Sequence, residues 1–291
     1  MYSIFSYLIN LTYFSLALTV LLFMLASAYP IAGFFARLLA SYLSLIVAAT
    51  FGVFISISLR LVGYGRISQW ATGRCFKYIM KYSTGITFLI EDPNDYLSTT
   101  RPAVFLGNHQ SELDVLMLGH IFPKYCSVTA KSSLKRIPFL GWFMALSGSV
   151  FIDRKNHQSA RDAMRGAAEE MKRDKQSVFM FPEGTRSYYS EPGLLPFKKG
   201  AFHLAVEGHV PIVPIVVANY SNILSLKNWT FRSGEILIKV LKPIDTTRLS
   251  SADVEDLTRN TREFMLKELV SITEKSKGAA VVMPAQSKKL L

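Results

Sequence analysis

The pattern of apolar and polar residues divides the chain into a hydrophobic beginning and a longer mixed part. The first 59 residues contain one charged side chain, Arg37. A helix needs roughly 20 apolar residues to cross the hydrocarbon core of a bilayer, and two such stretches are present, at residues 4–29 and 38–59. Pro30 and Gly33 mark the predicted bend between them. Residues 1–62 are therefore predicted to form a hydrophobic two-helix membrane anchor, which either spans the bilayer or lies within one leaflet.

Beyond this stretch, short runs rich in Val, Ile and Phe alternate with amphipathic helical patterns. Strands are predicted at residues 86–91, 103–107, 127–130, 149–152, 177–181, 212–218 and 236–241. Helices are predicted at residues 113–121, 139–147, 158–173, 200–207 and 252–274. Such alternation is typical of α/β domains, and we expect one over residues 63–274. The basic stretch at residues 275–291 is predicted to be a flexible tail.

One predicted strand contains proline. The run from Val210 to Ile215 has Pro211 and Pro214 among its apolar residues. Proline cannot donate a hydrogen bond to a neighbouring strand. This run is therefore predicted to be an apolar strand at a sheet edge or a bulge.

The charge balance favours a protein that binds anions at a membrane. The chain carries 33 basic and 21 acidic residues, a formal net charge of +12, which suits nucleic acid, anionic lipid or phosphorylated substrates. The sequence has no zinc-finger or aromatic RNA-binding motif, which argues against nucleic acid. Its two cysteines, Cys75 and Cys126, give neither a disulfide framework nor metal-ligand spacing. Basic residues follow the second apolar stretch and predict a cytoplasmic location for the α/β domain: Arg60, Arg66, Arg74, Lys77 and Lys81.

A candidate catalytic pair lies where the strand at residues 103–107 gives way to a helix. His109 and Asp114 are five residues apart in this turn. An imidazole becomes a useful general base near neutral pH when a carboxylate holds its other ring nitrogen. The alternative interpretation is a helix start in which Ser111 and Asp114 form a capping box and His109 is a structural residue.

Two further segments offer polar and basic side chains after predicted strands. Gly184 and Arg186 lie in the run Phe181 to Ser187, where a glycine permits a tight turn and a guanidinium suits a phosphate. Lys131 and Lys135 precede an apolar stretch, as a substrate with a phosphate head and a hydrocarbon tail would require. The alternatives are a solvated turn for the first segment and a solvated basic loop for the second.

Four motifs in this order resemble the glycerolipid acyltransferases, and specifically the fungal lysophosphatidic acid acyltransferases. They are His109 to Asp114, residues 131–142, residues 181–187 and residues 210–214. The resemblance covers roughly residues 70–243. It implies an α/β fold in which a mixed sheet is flanked by helices.

The resemblance also implies a reaction and assigns roles to residues. Acyl-CoA and 1-acyl-glycerol 3-phosphate would be the substrates, and phosphatidic acid and CoA the products, with no metal and no cofactor. His109 would remove the proton from the sn-2 hydroxyl while Asp114 orients the ring. The residues assigned to substrate binding are Lys131, Lys135, Glu183, Gly184, Thr185 and Arg186. The backbone amides of Gln110 and Ser111 are candidate oxyanion donors.

Two rival functions and the location of the protein follow from the same features. The acceptor is alternatively glycerol 3-phosphate or a lysophospholipid with a larger headgroup, and the non-enzymatic rival is a membrane module that binds anionic lipid. Membrane lipids are expected partners. The expected location is the endoplasmic reticulum, with the domain facing the cytoplasm, or a lipid droplet. The sequence fixes neither the preferred acyl chain length nor the oligomeric state.

Overall fold

Helices and strands alternate through most of the computed structural model, which describes residues 4–153 and 157–279. The helices are α1 Ile4–Leu25, α2 Pro30–Leu61, α3 Ser68–Thr84, α4 Tyr96–Thr99, α5 Asp114–Ile121, α6 Leu140–Leu146, α7 His157–Asp174, α8 Gly200–Gly208 and α9 Val254–Ala279. The strands are β1 Ile86–Glu91, β2 Val104–Gly107, β3 Cys126–Lys131, β4 Val150–Ile152, β5 Ser177–Met180, β6 Ile212–Val217, β7 Leu224–Ser225, β8 Thr230–Phe231 and β9 Gly234–Val240.

The main sheet is mixed, which confirms the predicted fold class. Its seven strands have the order β1-β9-β6-β2-β5-β3-β4. The five strands from β6 to β4 run parallel to one another. β1 and β9 pair in parallel, and β9 is antiparallel to β6. The carboxyl ends of β6, β2, β5 and β3 therefore lie side by side, at the edge where open α/β sheets bind their ligands.

Helices cover both faces of the sheet, as the alternation along β2 requires. Phe105 points into a core that includes Met117 of α5, while Val104 and Leu106 point into a second core that includes Phe202 of α8. Successive strand residues face opposite sides, so both cores pass through β2. A third cluster packs α9 against β6 and β9. β2 is thus buried along its whole length, and it leads directly into His109.

The predicted strands and helices of the α/β domain agree well with the observed ones. Every predicted strand is present with ends within two residues of the prediction, and α9 continues five residues past its predicted end, to Ala279. Helices α3 and α4 and the β7–β8 hairpin were not predicted. The rest of the predicted tail, residues 280–291, lies outside the described residues.

The prediction that the run from Val210 to Ile215 is a strand at a sheet edge or a bulge is wrong. β6 lies between β9 and β2 and is buried along its whole length. Pro214 pairs in register with Leu106 on the β2 side, and its carbonyl accepts a hydrogen bond from the backbone N–H of Leu241 on the other side. The antiparallel ladder to β9 begins at Ile215. The N–H that Pro214 lacks would fall at the end of this ladder, so proline is tolerated here.

The N-terminal helices are packed onto the α/β domain. The second helix begins at Pro30, earlier than predicted, because proline fits the first turn of a helix. One face of α2 carries small buried side chains, among them Ala36, Ala40, Ser44 and Ala48. Arg37 donates hydrogen bonds to the carbonyls of Thr84 and Phe231, at 3.2 and 3.4 Å. These contacts fix α2 against α3 and β8.

The opposite face of α2 remains apolar and exposed. Large side chains such as Ile46 and Phe54 are more than half exposed, at 54% and 66%. By length and composition α2 is able to cross a membrane, and 28% of its most apolar stretch is buried. Helix α1 contributes a shorter apolar stretch, Ile9–Leu25.

Candidate active site

The candidate catalytic and binding residues come together at the carboxyl ends of adjacent strands. His109 follows β2, the segment with Thr185 and Arg186 follows β5, and Lys131 ends β3. These strands are neighbours in the sheet. Motifs that are about 75 residues apart along the chain therefore share one edge.

His109 and Asp114 form a hydrogen-bonded pair, as the sequence predicted. Asp114 is the first residue of α5, and its Oδ2 lies 2.7 Å from Nδ1 of His109. The Asp114 side chain is fully buried, and the His109 ring stacks on Phe181 with 4.1 Å between ring centroids. Because a carboxylate only accepts hydrogen bonds, Nδ1 carries the ring proton and Nε2 keeps a free lone pair. The ring is therefore held as a potential base.

Four donors converge on the Asp114 carboxylate. Besides His109, the backbone N–H groups of Gln110 and Ser111 donate to Oδ2, at 2.6 and 3.1 Å. The hydroxyl of Tyr220, just beyond β6, donates to Oδ1 at 2.8 Å. A buried charge is costly unless it is fully hydrogen-bonded, and these donors replace the lost water.

This arrangement corrects one interpretation of the sequence and supports another. The amides of Gln110 and Ser111 are occupied by Asp114, so they are not the oxyanion donors that we expected. The predicted capping contacts are present: Asp114 Oδ2 accepts from the N–H of Ser111 at 3.1 Å, and Ser111 Oγ accepts from the N–H of Leu113 at 3.3 Å and lies 3.0 Å from the Tyr220 hydroxyl. Asp114 thus caps the helix start and holds the His109 ring with the same carboxylate.

The residues on either side of His109 fasten the turn to β6. Asn108 exchanges two hydrogen bonds with the backbone of Val217, at 2.8 and 3.0 Å. Gln110 donates its side-chain amide to the carbonyls of Val217 and Ala218. The sequence predicted no role for Asn108, Tyr220 or the Gln110 side chain, because their partners are more than 100 residues away along the chain.

The side chain of Glu183 is buried, and both of its carboxylate oxygens accept hydrogen bonds from backbone N–H groups. Its Oε1 accepts the N–H of His109 at 2.7 Å, and its Oε2 accepts the N–H of Leu195 at 2.8 Å. The residue is 3% exposed, and burial raises the pKa of its carboxyl. Ser187 N–H also donates to the His109 carbonyl. Glu183 thus joins three backbone segments into one unit.

The next residue, Gly184, makes the turn after Glu183. Its φ of +70° lies in the left-handed region that favours glycine, and a Cβ there would lie 2.9 Å from the side chain of Lys198. Replacement by a larger residue would strain the backbone and displace this lysine.

Two of the predicted cations share a cavity with His109. Lys131, Thr185 and Arg186 line it. Arg186 Nη1 donates to Glu112 Oε1 at 3.0 Å and to the Tyr188 hydroxyl at 3.3 Å, which holds the guanidinium in place. Lys135 lies in the turn beyond β3, outside the cavity lining of the described residues, with its Nζ 5.8 Å from the Phe151 ring centroid.

The lining of the cavity combines polar and apolar side chains. Its volume is about 460 Å³, within the range of small-molecule sites. Its apolar wall is formed by residues of α2, α5 and α6: Leu45, Ala48, Ala49, Val115, Leu118, Leu140, Phe143 and Met144. Such a lining suits a substrate with a hydrocarbon chain. Within residues 4–153 and 157–279, no group of three His, Cys, Asp or Glu residues is arranged to hold a metal ion.

Comparisons with known proteins show that the chain is similar to acyltransferases. A family model described as acyltransferase matches residues 90–218, a range that includes His109, Asp114 and Arg186. A 1-acyl-sn-glycerol-3-phosphate acyltransferase of Saccharomyces cerevisiae is 43% identical over 239 residues, which cover 82% of this chain and 78% of the yeast protein. The human 1-acyl-sn-glycerol-3-phosphate acyltransferase beta is 38% identical over 211 residues, which cover 71% of this chain and 75% of the human one.

A solved structure has the same fold. The crystal structure of the 1-acyl-sn-glycerophosphate acyltransferase of Thermotoga maritima matches with a TM-score of 0.61 and 22% identity, over 94% of this chain and 98% of that chain. The match extends over nearly the whole length of both chains, and so includes the N-terminal helices.

We predict that Glu183→Gln lowers the free energy of unfolding by about 1–3 kcal/mol, the cost of leaving a buried donor without a partner. Glutamine has one acceptor oxygen where Glu183 uses two, so either His109 N–H or Leu195 N–H loses its bond. Thermal or denaturant unfolding of the purified protein in detergent measures the change. The matched control is Glu207→Gln at an exposed position of α8, where we expect less than about 0.5 kcal/mol. Equal stability of both variants would contradict the bracing role of Glu183.

Proposed function

The chain belongs to the 1-acyl-sn-glycerol-3-phosphate acyltransferase family, and we propose that it transfers an acyl chain from acyl-CoA to the sn-2 hydroxyl of 1-acyl-glycerol 3-phosphate. The products are phosphatidic acid and CoA. One observation carries the proposal for this site: a histidine held by a buried carboxylate, at 2.7 Å, lines a cavity that is also lined by two cations and by many apolar side chains. The histidine matches the hydroxyl of the acceptor lipid, the cations match its phosphate, and the apolar side chains match its hydrocarbon chain.

His109 acts as the general base. Its Nε2 accepts the proton of the sn-2 hydroxyl as the hydroxyl oxygen attacks the thioester carbonyl carbon. The carbon–sulfur bond then breaks, and the imidazolium returns the proton to the departing thiolate of CoA. Asp114 stabilises the imidazolium between these two steps and keeps the proton on Nδ1. The acyl group moves directly between substrates, and the enzyme is unchanged at the end.

The cations that line the cavity bind the acceptor phosphate. Arg186 and Lys131 approach the cavity from two different strand ends, and Thr185, next to Arg186 in the chain, adds a hydroxyl. The guanidinium already holds the Glu112 carboxylate, so an incoming phosphate shares or replaces that partner. Lys135, outside the lining, is positioned to meet the phosphates of CoA. Glu183 and Gly184 shape the loop that carries Arg186.

The apolar part of the cavity receives an acyl chain. Ala48 and Ala49 of α2 are small and nearly fully buried, and Phe143 of α6 lines the same cavity and packs against α2 at Gly52. Gly52 allows this close approach, since a Cβ there would lie 2.6 Å from the Phe143 ring. The size of the residues on α2 therefore limits the space for methylene groups.

The exposed apolar surfaces of α1 and α2 attach the enzyme to a membrane. Side chains such as Phe14, Leu21 and Phe54 are more than half exposed, and an apolar surface of this extent favours lipid over water. Phe139 and Trp142, 43% and 52% exposed, extend this surface beside the cavity wall. We infer that the acceptor lipid enters from the bilayer. We place the enzyme on the cytoplasmic face of the endoplasmic reticulum or on a lipid droplet.

The acceptor is the part of the proposal most open to direct measurement. CoA release is measured with 1-acyl-glycerol 3-phosphate, glycerol 3-phosphate and lysophosphatidylethanolamine in turn, in lipid vesicles. We expect the first to be used most efficiently. A preference for either of the other two would assign the site to that acceptor, and binding of anionic lipid without CoA release would favour a non-enzymatic membrane module.

We predict that His109→Ala lowers kcat by about 10²–10⁴-fold, the usual contribution of a general base. The fold and the membrane attachment are expected to persist, because the ring makes one hydrogen bond and one stacking contact at the cavity wall. CoA release and vesicle sedimentation measure the two properties. His203→Ala, on α8 and half-buried, is the control and keeps full activity. A kcat within tenfold of the parent would exclude His109 as the base.

We predict that Arg186→Lys raises KM for the acceptor by about tenfold or more with a smaller change in kcat. The loss of one charge-assisted hydrogen bond to phosphate costs about 1.5–3 kcal/mol, and each 1.4 kcal/mol is about tenfold in affinity. Initial rates at varied acceptor concentration give both constants. Arg248→Lys, at an exposed position, serves as the matched control. An unchanged KM would remove Arg186 from the phosphate site.

We predict that Ala49→Leu shifts substrate preference toward shorter acyl chains. Each buried methylene contributes about 0.8 kcal/mol, so blocking the end of the apolar wall penalises the longest chains most. Rates are compared first across acyl-CoA lengths with one acceptor, then across acceptor lengths with one donor, which identifies the chain that occupies the cavity. Ala49→Val is expected to give an intermediate shift. If both chain-length profiles stay the same, the acyl chain lies elsewhere.

A further inference from the structure

Tyr220 makes a direct contact with the catalytic carboxylate, although it lies outside the four sequence motifs. Its hydroxyl donates to Asp114 Oδ1 at 2.8 Å and lies 3.0 Å from Ser111 Oγ. The residue is 3% exposed and follows β6, whose carboxyl end lies beside that of β2. It therefore contacts the Asp114 oxygen that His109 Nδ1 does not contact.

The direction of each hydrogen bond in this network follows from which groups can donate and which can only accept. The Asp114 carboxylate can only accept, so the single phenolic proton of Tyr220 is directed at Oδ1. The Ser111 hydroxyl then donates to the Tyr220 oxygen, and Ser111 Oγ in turn accepts from the N–H of Leu113 at 3.3 Å. Burial also raises the pKa of the Tyr220 phenol well above its ordinary value. The phenol remains a donor throughout the working pH range.

We propose that Tyr220 is a positioning residue that acts through Asp114, holding the carboxylate in line with His109 and setting the basicity of the imidazole. A hydroxyl that donates to Oδ1 withdraws negative charge from the carboxylate. The remaining charge stabilises the His109 imidazolium less than an unshared carboxylate would. Tyr220 thus lowers the proton affinity of His109 while it fixes the orientation of the pair.

The other charged groups around the pair are unchanged when Tyr220 is altered. Those of the β2–α5 turn and the loop after β5 are Glu112, Glu183 and Arg186, with the titratable phenol of Tyr188, and β3 contributes Lys131. Asp114 retains three donors on Oδ2 without Tyr220. We therefore expect it to remain a carboxylate, and a change in His109 reports the loss of the Oδ1 donor alone.

The test compares Tyr220→Phe and Ser111→Ala with the parent enzyme, without substrates and then during turnover. The rate of diethyl pyrocarbonate modification of the peptide containing His109, measured across pH by mass spectrometry, gives the pKa of His109 directly. The pH profile of kcat/KM gives the same group during catalysis. The modification assay does not depend on acyl transfer, so it remains informative even if the proposed function fails. Tyr96→Phe, a half-buried tyrosine packed against the same core, is the control.

We expect Tyr220→Phe to move the His109 titration and the acidic limb of kcat/KM upward by about 0.5–1 pH unit. We also expect kcat on the plateau to fall about tenfold, because the pair is less firmly oriented, with KM for the acceptor unchanged. Ser111→Ala, which weakens Tyr220 as a donor, is expected to give a smaller upward shift, and Tyr96→Phe none. A titration that stays in place or moves downward in Tyr220→Phe would overturn the proposal. Lower stability without an upward shift would mean that Tyr220 only fills space.

Discussion

The buried carboxylate of Asp114 is the constraint on which the active site depends. A carboxylate without water is tolerated only when its lone pairs are filled by donors. Four donors do this here, and they come from His109, from the backbone at Gln110 and Ser111, and from Tyr220 beyond β6. The turn after β2 must therefore direct its N–H groups toward this carboxylate, and the same conformation orients the His109 imidazole. Catalytic geometry and the satisfaction of a buried charge are one requirement.

The sheet explains how such distant residues meet. Parallel strands end at a common edge, so polar residues that follow β2, β5, β3 and β6 converge although long segments separate them in the chain. Glu183 stabilises this arrangement, because its two oxygens accept hydrogen bonds from backbone N–H groups of the His109 turn and of the segment at Leu195. The same loop carries Arg186, which lines the cavity. One motif thus supplies both a buried brace and a surface cation.

The sequence predicted what depends on local pattern and missed what depends on tertiary contact. Apolar runs located the strands, and the His109–Asp114 pair was legible because both residues lie in one turn. Helix α3 was missed because its buried positions, such as Thr72 and Thr84, are partly polar. The position of β6 in the sheet was predicted wrongly because a proline is accepted at position 214 only where the hydrogen-bonded pairing with β9 begins, and that pairing is not visible in the sequence. The roles of Tyr220 and Glu183 depend on partners more than 70 residues away, which no local pattern encodes.

Helix α2 joins two functions that the sequence suggested were separate. Its outward face carries large apolar side chains such as Phe54, while its inward face carries Ala48 and Ala49, which line the cavity. The side chains that the proposed function assigns to lipid contact and those that it assigns to acyl-chain binding therefore lie on opposite sides of one helix. Removing α2 would also remove a wall of the cavity. In the proposed function, membrane attachment and acyl-chain binding are thus physically coupled through α2.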